Sequence, residues 1–255
     1  MALNLGFTRT DTRAAVERNR AAFLEALDAV EGSKPWPLIT LRQVHSDLIH
    51  AVSGVPAGQL VGDGLITASP GIVLAVQTAD CVPVMVVDPK RRAVGVFHAG
   101  WRGTVKRIVE KGVGEMILRF GSNPRDLKAA IGPGIQGCCY EVGPEVRDKF
   151  HSQFAYAGEL FREKGESDAV REKYPLLFLT ARAPGHGVLP KKLFLDLVTA
   201  NRRQLLEAGV LRKNIEASVL CTVCRVDLLF SHRAEGGHSG RMMGAVAIRR
   251  ESRPK

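Results

Sequence analysis

A chain of 255 residues with 45% hydrophobic residues is long enough to bury a substantial core, as one large domain or two small ones. Its formal charge of +10 admits an anionic substrate or a polyanionic partner, but the basic residues are scattered in pairs and aromatics make up only 6%, so the stacking surface of a single-strand binder is missing. The chain lacks both an apolar run of about 18 residues and a secretory signal pattern at its start. Its five cysteines, with Cys138 and Cys139 adjacent, do not read as a disulfide framework. The expectation is a cytoplasmic protein with no nucleic-acid or membrane partner.

In chain order, apolar residues from Ala15 to Val30 recur at helical spacing, so a helix is expected over Thr12–Val30 with Gly32 as its stop. Leu38–Val44, Gly71–Thr78, Val82–Val87 and Ala93–Phe97 are alternating or β-branched runs, each expected as a strand. HAGWRGT follows as a strand-to-helix turn with two glycines, and the helix is expected from Thr104 to Phe120, stopped by Gly121. Backbone amides at such a helix start favour an anion. Leu127–Ile131 reads as a strand, Leu193–Ala208 as a helix ended by Gly209, and Ile215–Leu220, Leu228–Ser231 and Met243–Ile248 as late strands. The charged, proline-punctuated stretch from Tyr156 to Pro190 is expected to be an excursion or lid. With no repeat in evidence, a single domain over 1–255 is the simplest account.

Three residues carry the chemistry. His45, Cys81 and His98 each border a strand, and two imidazoles with one thiolate leave a fourth position on a zinc ion open for water or substrate. Their spacings, 81 − 45 = 36 and 98 − 81 = 17, are too long for a zinc finger or an H-E-x-x-H helix, so they can meet only through the fold. Taken singly, each also has an ordinary reading as a core or surface side chain. Arg102 beside the glycine turn, and Arg233 and Arg241 in SHRAEGGHSGR, are candidate phosphate forks. Asp63 and Asp80 are candidate orienting or acid–base carboxylates on the substrate side, although a turn Asp often only caps its own backbone. Cys221 and Cys224 form a C-x-x-C that reads as structural.

The segments LNLG, RQVHS, GDGLITASPG, TADCVPVMVVDP, AVGVFHAGWRGTV, AAIGPGIQGCCYEVGPEV, LDLVTANRRQLLEAGV and CTVCRVDLLFSHRAEGGHSGRMMGAVAI together resemble the purine nucleoside phosphorylase family of zinc proteins, also labelled the laccase-domain, multicopper polyphenol oxidase or YfiH-like family. They run from residue 3 to about residue 248. The resemblance implies an α+β fold of mixed β-sheets flanked by helices, akin to the cytotoxic necrotizing factor catalytic domain. It also implies zinc on His45, Cys81 and His98, which would then be the catalytic centre. The implied activity is phosphorolysis of adenosine, inosine, guanosine and methylthioadenosine, with deamination of adenosine, so that the partners are purine nucleosides and inorganic phosphate. In SHRAEGG, Ala234 stands where the family pattern has an arginine. Three rival classes remain: a cysteine hydrolase or cell-wall precursor editing factor using Cys81, a polyphenol oxidase, and a basic binding module.

Overall fold

The computed structural model describes residues 3–32, 34–165 and 191–250. It contains two compact units, Met1–Gln136 with Leu197–Lys255 and Gly137–Asp196.

The larger unit begins with α1 (Arg13–Ala26), where the Thr12 side chain accepts the Ala15 N–H at 3.3 Å and caps the helix. The helix stops four residues short of the expected Val30. Asp28 turns into the left-handed region (φ 54°), and β1 (Val30–Glu31) doubles back on β2 (Lys34–Pro35) through Gly32 (φ 61°). Gly32 therefore serves a hairpin rather than a helix end.

β3 (Leu38–Ile39) is shorter than the alternating run suggested, and beyond it only Arg42 bridges to Val61. β4 (Ile49–Ala51) and β5 (Gly64–Thr67) follow, then β6 (Val73–Thr78), β7 (Val82–Asp88) and β8 (Ala93–Ala99), the last three close to their expected spans. The helix expected from Thr104 is two pieces, α2 (Trp101–Val105) and α3 (Ile108–Phe120). Arg107 in the left-handed region (φ 63°) breaks them, and Gly121 (φ 65°) stops the second as expected.

β9 (Lys128–Ile131) lies where a strand was expected. The smaller unit then contributes β10 (Glu141–Val142), α4 (Pro144–His151), β11 (Phe161–Lys164) and β12 (Lys192–Leu195), and pairs its strands in the order β10-β12-β11. Leu193–Leu195 thus belongs to a strand, and α5 (Leu197–Glu207) starts later than the helical pattern implied. Of the expected excursion, residues 156–165 form a short 3-10 turn and β11, and 166–190 lie outside the described residues.

Back in the larger unit, β13 (Ile215–Ala217) and β14 (Met242–Ala247) complete the strands, whereas Leu228–Ser231 is a turn rather than a strand. Besides the β1-β2 hairpin, the described residues of this unit form a six-stranded sheet, β13-β9-β7-β8-β5-β4, and a three-stranded one, β14-β6-β3. The six-stranded sheet mixes parallel and antiparallel pairs, and the fold is α+β as expected.

Strand parity explains how the layers meet. Val94 and Val96 on β8 share a buried cluster with Leu65 of β5 and with Leu74 and Val76 of β6, so the two sheets pack face to face. On the other side of β8, Phe97 meets α3 so closely that a Cβ on Gly112 would lie 2.2 Å from the ring. With both faces covered, all seven β8 residues are buried.

Candidate metal centre

Register brings the three candidate ligands to one corner. β7 pairs antiparallel with β8, Val82 opposite Ala99, so one step further out Cys81 faces Gly100. β5 pairs with β8, Gly64 opposite Phe97, so Asp63 faces His98, and the His98 N–H donates to the Asp63 carbonyl at 2.7 Å. His98 has the same parity as Val94 and Val96, which directs it toward the space between the sheets.

His45 arrives from a loop, in the left-handed region (φ 57°). Asp63 holds that loop. Its Oδ1 accepts the His45 N–H at 3.0 Å, and its Oδ2 accepts the N–H groups of Val44 (3.2 Å) and Ser46 (2.6 Å) and the Ser46 hydroxyl (2.7 Å). Three consecutive amides turned onto one carboxylate form a concave anion cradle, which offsets the unfavourable φ at His45.

Asp63 Oδ1 also accepts a hydrogen bond from His98 Nδ1 at 2.8 Å, in a pocket where both side chains are buried. A carboxylate can only accept, so the proton sits on Nδ1 and Nε2 is left to point the other way. Carboxylate–histidine pairs of this kind orient metal-ligating imidazoles.

Cys81 Sγ lies 3.8 Å from His45 Nε2, and one ligand atom from each of His45, Cys81 and His98 falls within 4.8 Å of the others. Zinc bond lengths of about 2.3 Å to sulfur and about 2.1 Å to nitrogen, at a tetrahedral angle, put such a pair about 3.6 Å apart. The observed spacing fits one shared cation. The two imidazole rings meet edge to face, centroids 4.9 Å apart. Gly100 leaves the room they need, since a Cβ there would lie 2.8 Å from Cys81 Sγ and 3.1 Å from His45 Cδ2.

The electrostatics favour a deprotonated sulfur. Burial by itself pushes the Cys81 thiol up, but the positive charge of His98 and hydrogen bonds from both imidazoles outweigh it and bring the thiol down to about 6. Burial likewise pushes His98 down, and the Cys81 charge and the Asp63 hydrogen bond reverse this, raising it to about 9. For Asp63, burial works upward against the hydrogen bonds from His98 and Ser46, which hold the carboxyl well below the usual carboxylate range. A metal ion would take the place of the His98 proton opposite the thiolate.

The remaining candidates are placed unevenly. Arg102 is exposed, its guanidinium 4.5 Å from the Trp101 ring, and the helix it sits on is only five residues long. Arg241 is half-buried, with Nη1 donating to the Ser239 carbonyl and hydroxyl and the Gly240 carbonyl, all at 2.8 Å. Its backbone is pinned by buried Asn4, whose Oδ1 accepts the Arg241 N–H at 2.8 Å. Asp80, next to Cys81, is buried and accepts from Thr222, Ser231 and the Arg233 amide. Ser46, Thr222 and Ser231 escaped the sequence reading. Ser46 follows a candidate ligand directly, a signal that could have found it, whereas the other two lie more than 140 residues from their partner.

The family model described as "Multi-copper polyphenol oxidoreductase laccase" matches residues 1–249. The chain belongs to this family. Two curated members resemble it over nearly its whole length, and a third over a shorter span. "Purine nucleoside phosphorylase" of Deinococcus radiodurans is 35% identical, covering 95% of this chain and 81% of that protein. "Purine nucleoside phosphorylase YfiH" of Escherichia coli is 30% identical, covering 96% and 85%. "Adenosine deaminase RL5", from an unknown prokaryotic organism, is 39% identical over 72% of this chain and 61% of its own. Among solved structures, the hypothetical protein YfiH of Bacillus licheniformis superposes with a TM-score of 0.80 at 33% identity, covering 97% of this chain and 86% of that one. The laccase-domain family thus carries members named for nucleoside chemistry alongside its older oxidase label.

Proposed function

We propose that this chain is a zinc-dependent purine nucleoside phosphorylase, acting on adenosine, inosine, guanosine and methylthioadenosine, that also deaminates adenosine. The observation that carries this reading is the convergence of His45, Cys81 and His98 at one corner, in a chain whose relatives bear the name purine nucleoside phosphorylase across most of their length. Zinc suits a reaction with no change of oxidation state, and its thiolate and imidazole preferences match the donor set. Polyphenol oxidation by dioxygen needs several cooperating redox centres. Among the described residues, no second cluster of potential ligands includes a histidine.

His45, Cys81 and His98 would hold the cation, which would supply Lewis acidity when bound. The other work falls to the chain itself. Asp63 keeps the His98 proton on Nδ1 and sets the His45 loop. In phosphorolysis, a phosphate oxygen bonds to ribose C1′ while the C1′–N9 bond breaks and the purine leaves with that electron pair. The attacking anion needs donors fixed in advance. Arg102, Arg233 and Arg241 are the candidates. Arg241 is the best prepared, because three bonds lock Nη1 while its Nε and Nη2 have no partner among the described residues, leaving a fork suited to two phosphate oxygens.

Cys81 favours one rival reading, since a thiol held at about 6 beside two imidazoles also describes a cysteine nucleophile. One experiment separates them. Purified protein of measured metal content is incubated with adenosine, with and without phosphate, and the products are identified. Adenine with ribose 1-phosphate appearing only in phosphate, and inosine without it, is the expected result. No nucleoside turnover by metal-replete protein overturns the reading, and covalent capture of Cys81 by an acyl electrophile in active, metal-free protein supports the hydrolase.

A further inference from the structure

Asp80 has an unusual backbone and a fully engaged side chain. Its φ of 87° is one that a residue with a Cβ rarely adopts, and it lies immediately before Cys81. Its carboxylate joins segments that are remote in sequence. Oδ1 accepts the Thr222 hydroxyl at 2.6 Å and the Ser231 hydroxyl at 2.7 Å, and Oδ2 accepts the Arg233 N–H at 2.7 Å. Thr222 and Ser231 are wholly buried, and the Asp80 carbonyl takes the Ile135 N–H at 2.8 Å. The Ser231 hydroxyl, having donated to Asp80, accepts the Ala234 N–H at 3.1 Å, which continues the network into the Ser231–Gly237 turn.

Three short donors occupy this carboxylate, so it is not available to take a proton from substrate. We infer that Asp80 is a positioning residue: it docks the Ser231–Arg233 turn onto the corner that carries Cys81, and it governs how tightly the site binds an anion by placing Arg233 there. This rests on the phosphorolytic reading for the identity of the anion, but not for the docking itself. The strained φ has a counterpart in these bonds, since three short hydrogen bonds to one carboxylate help offset its cost.

Two substitutions separate the side chain from the backbone. Asp80→Gly accepts φ 87° without strain and removes only the carboxylate. Asp80→Asn keeps the shape: its carbonyl can accept from the Arg233 amide while its NH2 donates to the two hydroxyls, which can reverse roles. Three measurements are made on each full-length variant: metal content, hydrogen exchange at the Arg233 and Ala234 amides, and calorimetric binding of inorganic phosphate alongside its KM and kcat. For Asp80→Gly the expected result is wild-type metal content, loss of exchange protection at both amides, and a KM for phosphate raised about 10- to 100-fold with kcat little changed. Asp80→Asn is expected to restore most of both.

Wild-type exchange protection in Asp80→Gly overturns the docking role. Loss of metal together with kcat shows that Asp80 acts on Cys81 instead, and overturns the inference too. Should Asp80→Gly not fold, Thr222→Val and Ser231→Ala remove the two hydroxyl contacts from the other side, and they are read by protection at the Arg233 amide and by the KM for phosphate; wild-type values of both overturn the docking role. Wild-type protein that neither binds nor consumes phosphate sinks the phosphorolytic reading, while the exchange data still decide the docking.

Discussion

Replacing Asp63 by Asn removes no atoms of bulk but alters hydrogen bonding at a carboxylate that accepts five bonds in the metal corner. Oδ1 serves the His45 amide and His98 Nδ1, and Oδ2 serves the amides of Val44 and Ser46 and the Ser46 hydroxyl. If the new NH2 takes the Oδ2 place, it faces two backbone N–H groups that cannot accept. If it takes the Oδ1 place, it faces the His45 amide, and His98 can meet it only by moving its proton to Nε2, the nitrogen a cation needs. Each hydrogen bond to the carboxylate stabilises by about 1.5–3 kcal/mol, and one or two are lost according to which way the amide turns, so a cost of roughly 1.5–6 kcal/mol is expected from urea unfolding. Metal affinity, measured by competition with a chromogenic chelator, is expected to fall about 10- to 100-fold or more. Ring nitrogen NMR shifts of His98 in the metal-free variant would show an unprotonated Nδ1, the nitrogen that carries the proton in the wild type. A variant that binds metal like the wild type, with Nδ1 still protonated, refutes the reasoning.

Other outcomes follow from the same geometry. In metal-free protein, Cys81 is a thiolate above about pH 6, so the pH profile of its alkylation by iodoacetamide is expected to rise through a midpoint near 6 and to be suppressed by added zinc; a midpoint at the free-thiol value of about 8.5 contradicts the charge arrangement. Gly100→Ala sets a methyl group 2.8 Å from Cys81 Sγ, and metal affinity is expected to drop while the unfolding midpoint stays close to wild type; unchanged affinity means that the trio does not close as drawn. Gly112→Ala drives a Cβ to 2.2 Å from the Phe97 ring, one residue before His98. Overpacking of about 1–3 kcal/mol is expected to outweigh the helix propensity that alanine contributes, lowering the denaturation midpoint, and a raised midpoint contradicts the packing.

Much of this centre is legible in the chain because strands with both faces buried read as continuous apolar runs. Val82–Asp88 and Ala93–Ala99 announce themselves that way, and so does the position of Cys81 and His98 at their ends. Pairing register, which brings Cys81 opposite Gly100 and Asp63 opposite His98, is a property of the folded sheet and has no local signature. Asp63 could be named as a carboxylate of interest, but Asp–Gly steps usually close turns, and nothing local distinguishes one that accepts three amides from a loop 17 to 19 residues away. Helical periodicity misled where tertiary pairing prevailed: Leu193 and Leu195 continue the pattern of α5 yet pair with β10 and β11. The break at Arg107 and the early end of α1 at Asp28 rest on left-handed residues other than glycine, for which the sequence offers little warning.

The measurement that tests the account most directly is metal content joined to X-ray absorption spectroscopy on the wild type and on His45→Ala, Cys81→Ala and His98→Ala. One zinc per chain with a sulfur and two imidazole nitrogens in its shell, lost together with nucleoside turnover in all three variants, is the predicted result. Full phosphorolysis by protein stripped of metal, or zinc bound without a sulfur ligand, contradicts it.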